Sequence, residues 1–267
     1  MNLVLLRQTW RFAAVRILIV GAVTTLWGWL ILLFYSQFSP MIRDLATQNS
    51  LFRQLSNFGS GNLFTLPGAV TLGTQHPFLL ALIGVFAVGS ASLAIAGERQ
   101  SGTLEVLLAR PISRNSLLRT QLVATLVVVA VLVALLLIGM SVGAAMYGYL
   151  GDLDPARMPL VWLNGFLLWA AFTTFSLAAS VSFDRPGPSI GLSIAFLLAN
   201  YFLVILASFW QDARWTQSWS LFDHFQPSEI LAGRTDPFDL LLLAIVALVP
   251  LMYALWRFPR RDLAAPA

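Results

Sequence analysis

Chemistry needs titratable groups brought together, and this chain of 267 residues spreads its few of them thinly. It holds two histidines, His76 and His224, twelve carboxylates and sixteen basic residues, every one of the latter an arginine. A phosphate-binding P-loop needs the lysine of its Gly-Lys-Ser/Thr run to reach the nucleotide phosphates. Without lysine the chain carries no standard ATPase site, so if ATP drives it, another polypeptide supplies the hydrolysis. Cysteine is absent as well, which removes disulfides, thiolate metal sites and cysteine nucleophiles. A metal centre wants three or four convergent ligands. Neither histidine has ligands at such spacing, even with Asp223 beside His224, and both read as structural or interfacial. Asp152 and Asp154, one residue apart, read as a solvated turn rather than an acid–base pair.

What stands out instead is a polar insert, Gly97-Glu-Arg-Gln-Ser-Gly-Thr-Leu-Glu-Val-Leu-Leu-Ala-Arg-Pro-Ile-Ser-Arg114, lying between two apolar runs. Ser101, Gly102 and Thr103 offer capping groups for a short helix over about 101–111, and Pro111 ends it. Leu104, Leu107 and Leu108 fall at i, i+3 and i+4 and share one face. Glu105 sits near the start and Arg110 near the end, each where the helix macrodipole favours its charge. Ser113 is placed to cap the next helix, with Arg114 and Arg119 at its first turns. A helix too brief to span a bilayer and apolar on one side is suited to docking into another protein. The chain therefore reads as a membrane subunit driven by a soluble partner.

The elements that carry the insert follow from composition. The chain is 58% hydrophobic and 10% charged, against roughly 25% charged in a soluble domain. A spanning helix takes about 20 largely apolar residues, and six fit, at roughly 17–38, 78–97, 118–148, 160–182, 188–209 and 239–257. The third exceeds what a bilayer requires, so it tilts or protrudes. The sixth is short, with Trp256 as an interfacial anchor. The first run is too long for a signal-peptide core and no Ala-x-Ala-like site follows it, which predicts a retained span. Residues 1–15 put Leu3, Leu6, Trp10 and Ala14 on one side and Arg7 and Arg11 elsewhere, as in a helix lying in the interface. The fold class is thus all-α: one polytopic transmembrane domain over 1–267, with an N-terminal interfacial helix and a coupling helix between spans two and three.

Six spans put both termini on one side. Eleven arginines lie on that side and five on the other, while eight of the twelve acids lie opposite. The positive-inside rule makes the arginine-rich side cytoplasmic, so the insert faces the cytoplasm. Two outer stretches remain, 39–77 and 210–238. The second carries Trp210, Trp215, Trp219, Phe222 and Phe225, an aromatic surface for the outer headgroup level. Ionisable groups deep in the spans would mark a proton or ion path; none is found there. Gln75, Asn164, Asn200 and the Thr173-Thr174 pair read as bonds between helices rather than a cavity lining. Gly89 and Gly97, among small neighbours, give the second span a face for close packing within the subunit or across a dimer.

The insert resembles the loop between the second and third spans of ABC-2-type permeases, the membrane subunits of ATP-binding-cassette exporters. Their pattern Glu-x-x-x-Gly-Thr-Leu-Glu-x-Leu-Leu-x-x-Pro-Ile-Ser-Arg is met here by Glu98, Gly102, Thr103, Leu104, Glu105, Leu107, Leu108, Pro111, Ile112, Ser113 and Arg114 in register. Phe225-Gln-Pro-Ser-Glu-Ile-Leu-Ala-Gly233 is similar to the segment before their sixth span, and Arg257-Phe-Pro-Arg-Arg-Asp262 to their endings. Many relatives place a Lys-Glu pair in the interfacial helix, where this chain has Arg7-Gln8. The resemblance implies a second permease copy, most simply a homodimer, and two ATPase subunits that bind ATP and magnesium. This chain itself would bind no cofactor and no nucleic acid and would not be an enzyme. Leu104, Leu107 and Leu108 would fill a groove on the ATPase while Glu98, Arg99, Glu105 and Arg110 fix register at its rim. Export across a bacterial inner membrane is the function implied. The same architecture could instead serve maturation of an extracytoplasmic partner protein, handing over a sulfur species, a metal-related factor or a lipid; a carrier or channel without an ATPase is the other rival.

Overall fold

The computed structural model describes residues 3–48, 65–109 and 112–261, with side chains described as far as Phe38 in the first stretch. Among the described residues there are helices and no strands. They are α1 (Leu3–Gln48), α2 (Leu66–Gln75), α3 (Pro77–Leu93), α4 (Ala96–Gln100), α5 (Thr103–Leu108), α6 (Arg114–Met146), α7 (Met158–Ser182), α8 (Pro186–Phe209), α9 (Pro227–Leu231) and α10 (Pro237–Arg260), with a 3-10 stretch at Gln211–Trp219. Proline sets many of the boundaries. Pro67, Pro77, Pro159, Pro186, Pro227 and Pro237 each stand in the first turn of a helix, where the missing N–H is no loss and φ is already helical.

Five helices are long and apolar enough to cross a membrane, and α2 with α3 makes a sixth, bent by 48° between Gln75 and Pro77. His76 adopts an extended backbone at the bend, and its Nδ1 accepts the Phe78 N–H at 3.2 Å. The helices depart from the expected bounds: the second candidate span, expected at 78–97, is the bent pair that ends at Leu93, and two other stretches differ in extent. α1 is one helix from Leu3, so the segment expected to lie separately in the interface is continuous with the first span. Its Trp10 indole donates to the Ala124 carbonyl at 3.2 Å, a tie to the neighbouring span that favours continuing the helix over turning it. Of the stretch expected as the outer loop 39–77, the parts described are helical, since α1 runs on to Gln48 and α2 is buried along most of its length; residues 49–64 lie outside the described residues.

The first and third spans cross backbone to backbone. A Cβ on Gly139 would overlap the Thr25 carbonyl, one on Gly28 would overlap that of Leu136, and one on Gly143 would come within 2.8 Å of the Leu32 side chain and 3.2 Å of the Trp29 carbonyl. Only glycine permits such an approach in a membrane bundle. Gly89, expected to provide close packing, meets nothing within 4 Å, and Gly97 meets only Leu93 one turn away. The second span is segmented instead: Val85–Ser90 is π-helical and the helix stops at Leu93. Such bulges widen a turn and weaken its register. A main core around Leu32, Ile83, Leu132, Met140 and Phe172 fills the bundle. A smaller one, with Ile95, Leu104, Leu117, Leu118, Leu177 and Phe258, lies at the end that carries the insert.

Candidate coupling interface

The insert folds as two short helices at a corner. α4 begins where the second span breaks, and its exposed backbone donors are met from another span: the Ser180 hydroxyl on α7 accepts the N–H groups of Ile95 and Ala96, both at 3.0 Å. That substitutes for the missing intrahelical carbonyls at a helix start. Gly102 then turns the chain with φ +70°, a conformation costly for any residue with a Cβ. The hydroxyls flanking it do not cap α5 as expected. Ser101 donates to the carbonyls of Gly97 and Glu98, at 3.0 and 3.2 Å, and Thr103 hydrogen-bonds to the Glu98 carbonyl and carboxylate. They bind the corner shut, because they lie nearer the end of α4 than the N–H groups of α5.

The leucine face of α5 points the other way from expectation. Leu104 is 2% exposed, packed in the smaller core, and Leu107 and Leu108 pack partly against the same core. The apolar stripe is used to seat the helix on its own bundle, which is where a short amphipathic helix gains most burial. What it presents outward is Glu105 and Val106, the latter 62% exposed. Val106 and Thr103 also form one wall of a cleft of about 560 Å³, whose opposite wall is the start of α1 with Gln8, Phe12 and Arg16. Phe12 is 78% exposed. Val106 and Phe12 were not singled out by the sequence, where only their positions off the buried faces could have marked them.

The charged residues of the insert divide likewise. Arg99, expected at a partner's rim, turns inward: its Nη1 lies 2.5 Å from the Asp184 carboxylate in the turn between α7 and α8. Arg261 pairs with the same carboxylate and donates to the carbonyls of Val181 and Phe183 at 2.6 and 3.1 Å. Burial pulls the Arg261 pKa down; Asp184 opposes the shift, and repulsion from Arg99 and Arg257 adds to it. Arg114 donates to the carbonyls of Pro259 and Arg261 at 3.2 and 2.7 Å. Ser113 caps α6 as expected, accepting the Ser116 N–H at 3.2 Å. Arg110 and Pro111 lie outside the described residues.

The far end of the bundle is closed by the segment after α8. Asn164 accepts the Gln226 N–H and donates to the His224 carbonyl, both at 3.0 Å; Gln75 donates to the Phe225 carbonyl at 3.0 Å; Asn200 accepts the Leu221 N–H at 2.9 Å. These amides bond spans to the covering segment rather than helix to helix as expected, and Thr173 and Thr174 donate to the carbonyls of Trp169 and Ala171 within their own helix. Phe222 and Phe225 are buried in the core, so of the five aromatics expected at the surface Trp210, Trp215 and Trp219 are exposed. His224 Nδ1 lies 2.7 Å from the Asp239 carboxylate. Gly233, at φ +81°, stands against the Arg157 guanidinium, which donates to the Leu231 carbonyl at 3.0 Å and finishes α9.

Comparison with known proteins fits this architecture. The family described as ABC-2 family transporter protein matches residues 4–263. The chain belongs to that family. As an ABC-2 family protein it is a multi-pass membrane subunit of the ABC-transporter type, in which the permease chain is not itself the catalyst. It is also 26% identical over 204 residues to the uncharacterized protein YhcI of Bacillus subtilis (strain 168). That match takes in 68% of this chain and 65% of the relative's length. Within this ABC-2 protein the insert is a platform with Leu104 as its root and Glu105 and Val106 as its outward surface.

Proposed function

We propose that this chain is the permease subunit of an ATP-driven exporter, acting as a homodimer bound to two copies of a separate ATPase. The observation that carries the reading is α5: a helix anchored by buried Leu104 that holds Glu105 and exposed Val106 outward at one end of the bundle. An apolar side chain held in water on a braced support is what a docking contact needs, since preorganisation lowers the ordering cost of binding. The distribution of arginines supports a cytoplasmic location for that end. ATP and magnesium then belong to the partner, whose closure would push on α4 and α5. The cargo class follows from the spans. α3 and α8 border an apolar crevice of about 480 Å³, with Leu80, Val85, Ile194 and Leu198 among its lining. That surface suits an amphipathic or lipid-like cargo more than a charged solute.

Affinity purification of the full chain in mild detergent tests the reading. The expected result is a Walker-motif ATPase at one copy per permease chain, with hydrolysis in the purified complex. Purified permease that moves its cargo with no ATPase present would overturn it.

A further inference from the structure

Four segments distant in sequence meet at the insert end, and one carboxylate lies between two of their cations. Asp184 faces Arg99, on the insert, at 2.5 Å, and also Arg261, just past the end of α10. Both guanidinium side chains are largely buried, 12% and 11% exposed, whereas the carboxylate side chain is 64% exposed. Arg114, at the start of α6, is tied to the same place through the Arg261 carbonyl. Asp184 itself is two residues before Pro186, where α8 begins, and two residues past Ser182, where α7 ends.

We infer that Asp184 is the positioning residue through which displacement of the insert reaches α7, α8 and α10. The argument is one of geometry. Leu104 seats the insert by dispersion contacts, which permit sliding, whereas the close Arg99–Asp184 ion pair holds it to one point on the turn. Arg99 is the insert's only cation between α3 and Ala109, and its partner sits at the turn joining two spans. A push on α4 therefore pulls on that turn. Two guanidiniums sharing one acceptor also repel each other, so the carboxylate is what keeps Arg261 and Arg99 together. This role rests on the proposed docking of an ATPase, because without a push on the insert there is nothing to transmit.

The chain has no cysteine, which allows spin labels at Met146→Cys and Phe209→Cys, exposed positions at the far ends of α6 and α8. The distance between them is measured by double electron–electron resonance in the ATPase complex, nucleotide-free and trapped with ATP and orthovanadate, after dilution with unlabelled chain. The parent complex should shift by roughly 5 Å, the scale of a helix displacement in a switching protein. Asp184→Asn and Arg99→Gln should keep the ATPase at parent stoichiometry, keep hydrolysis, and lose the shift; Asp184→Glu should restore it. Arg99→Gln leaves the Asp184–Arg261 pair in place, so it decides the matter if Asp184→Asn fails to fold. A parent-sized shift in Arg99→Gln, or no shift in the parent complex, overturns the inference while the docking reading stands. Loss of the ATPase from Arg99→Gln overturns it too and returns Arg99 to the docking surface. A parent chain that brings down no ATPase removes both readings.

Discussion

The two ends of this bundle are held together by different chemistry. At the far end, neutral amides of Gln75, Asn164 and Asn200 meet backbone groups of one covering segment. At the insert end, Arg99, Arg114 and Arg261 reach across spans to one carboxylate and several carbonyls. An amide buried against backbone groups has few alternative partners, and breaking the bond strands both sides in a dry interior. A guanidinium offers five donors around a partly exposed carboxylate and can trade one acceptor for another. The far end is built as a fixed cover and the insert end as a joint.

That contrast can be broken from several sides. The largest effect is expected below both ends, at the crossing that each depends on. Gly139→Leu puts a side chain into the Thr25 backbone, and overpacking there should cost more than about 3 kcal/mol and abolish recovery of monodisperse protein. Next comes the cover. Asn164→Leu leaves the part-buried Gln226 N–H and the buried His224 carbonyl without this partner, at roughly 1–3 kcal/mol each, and should lower the thermal midpoint sharply and expose the 210–236 segment to protease. By comparison, Arg99→Gln at the joint should shift the midpoint by much less, with one guanidinium removed and Arg261 still paired. Equal losses from Asn164→Leu and Arg99→Gln would erase the distinction between cover and joint.

The smallest effect is a pH dependence at the cover's rim. The Arg234 hydrogen bond and charge hold the Glu229 carboxyl below its ordinary value, against a smaller opposing effect of burial. A depressed carboxyl stabilises the fold above its unfolded pKa, and that contribution is lost as pH falls through the folded value. The parent should therefore lose a little stability on acidification into that range, and Glu229→Gln should not show this component. Both groups are substantially exposed, so salt should shrink the difference.

Much of this was legible in the chain before any coordinates. Apolar runs located the spans, and the run from Gly97 to Arg114 marked the insert as the unusual element. Amides at Gln75, Asn164 and Asn200 were readable as bonding groups because so few polar groups lay in apolar runs, though their bonds run to the covering segment rather than from helix to helix. Orientation within the insert was not legible. Leu104, Leu107 and Leu108 define an apolar face, but periodicity is silent on whether that face meets the chain's own core or a partner. The inward turn of Arg99 is hidden for a related reason: Asp184 lies 85 positions away, and nothing local ties the two. Gly89 stands among small residues yet faces open space, whereas Gly139, between Ile138 and Met140, faces a backbone.

The central claim is that the outward surface of α5 receives the ATPase, and Val106→Asp addresses it alone. Val106 is 62% exposed, so the substitution should stay within about 0.5 kcal/mol in the isolated permease. Tagged parent and variant chains, solubilised side by side at equal yield, are assayed for ATPase retained per chain. The account predicts at least a tenfold loss with Val106→Asp, about 1.4 kcal/mol or more of binding. Retention equal to the parent's would contradict it.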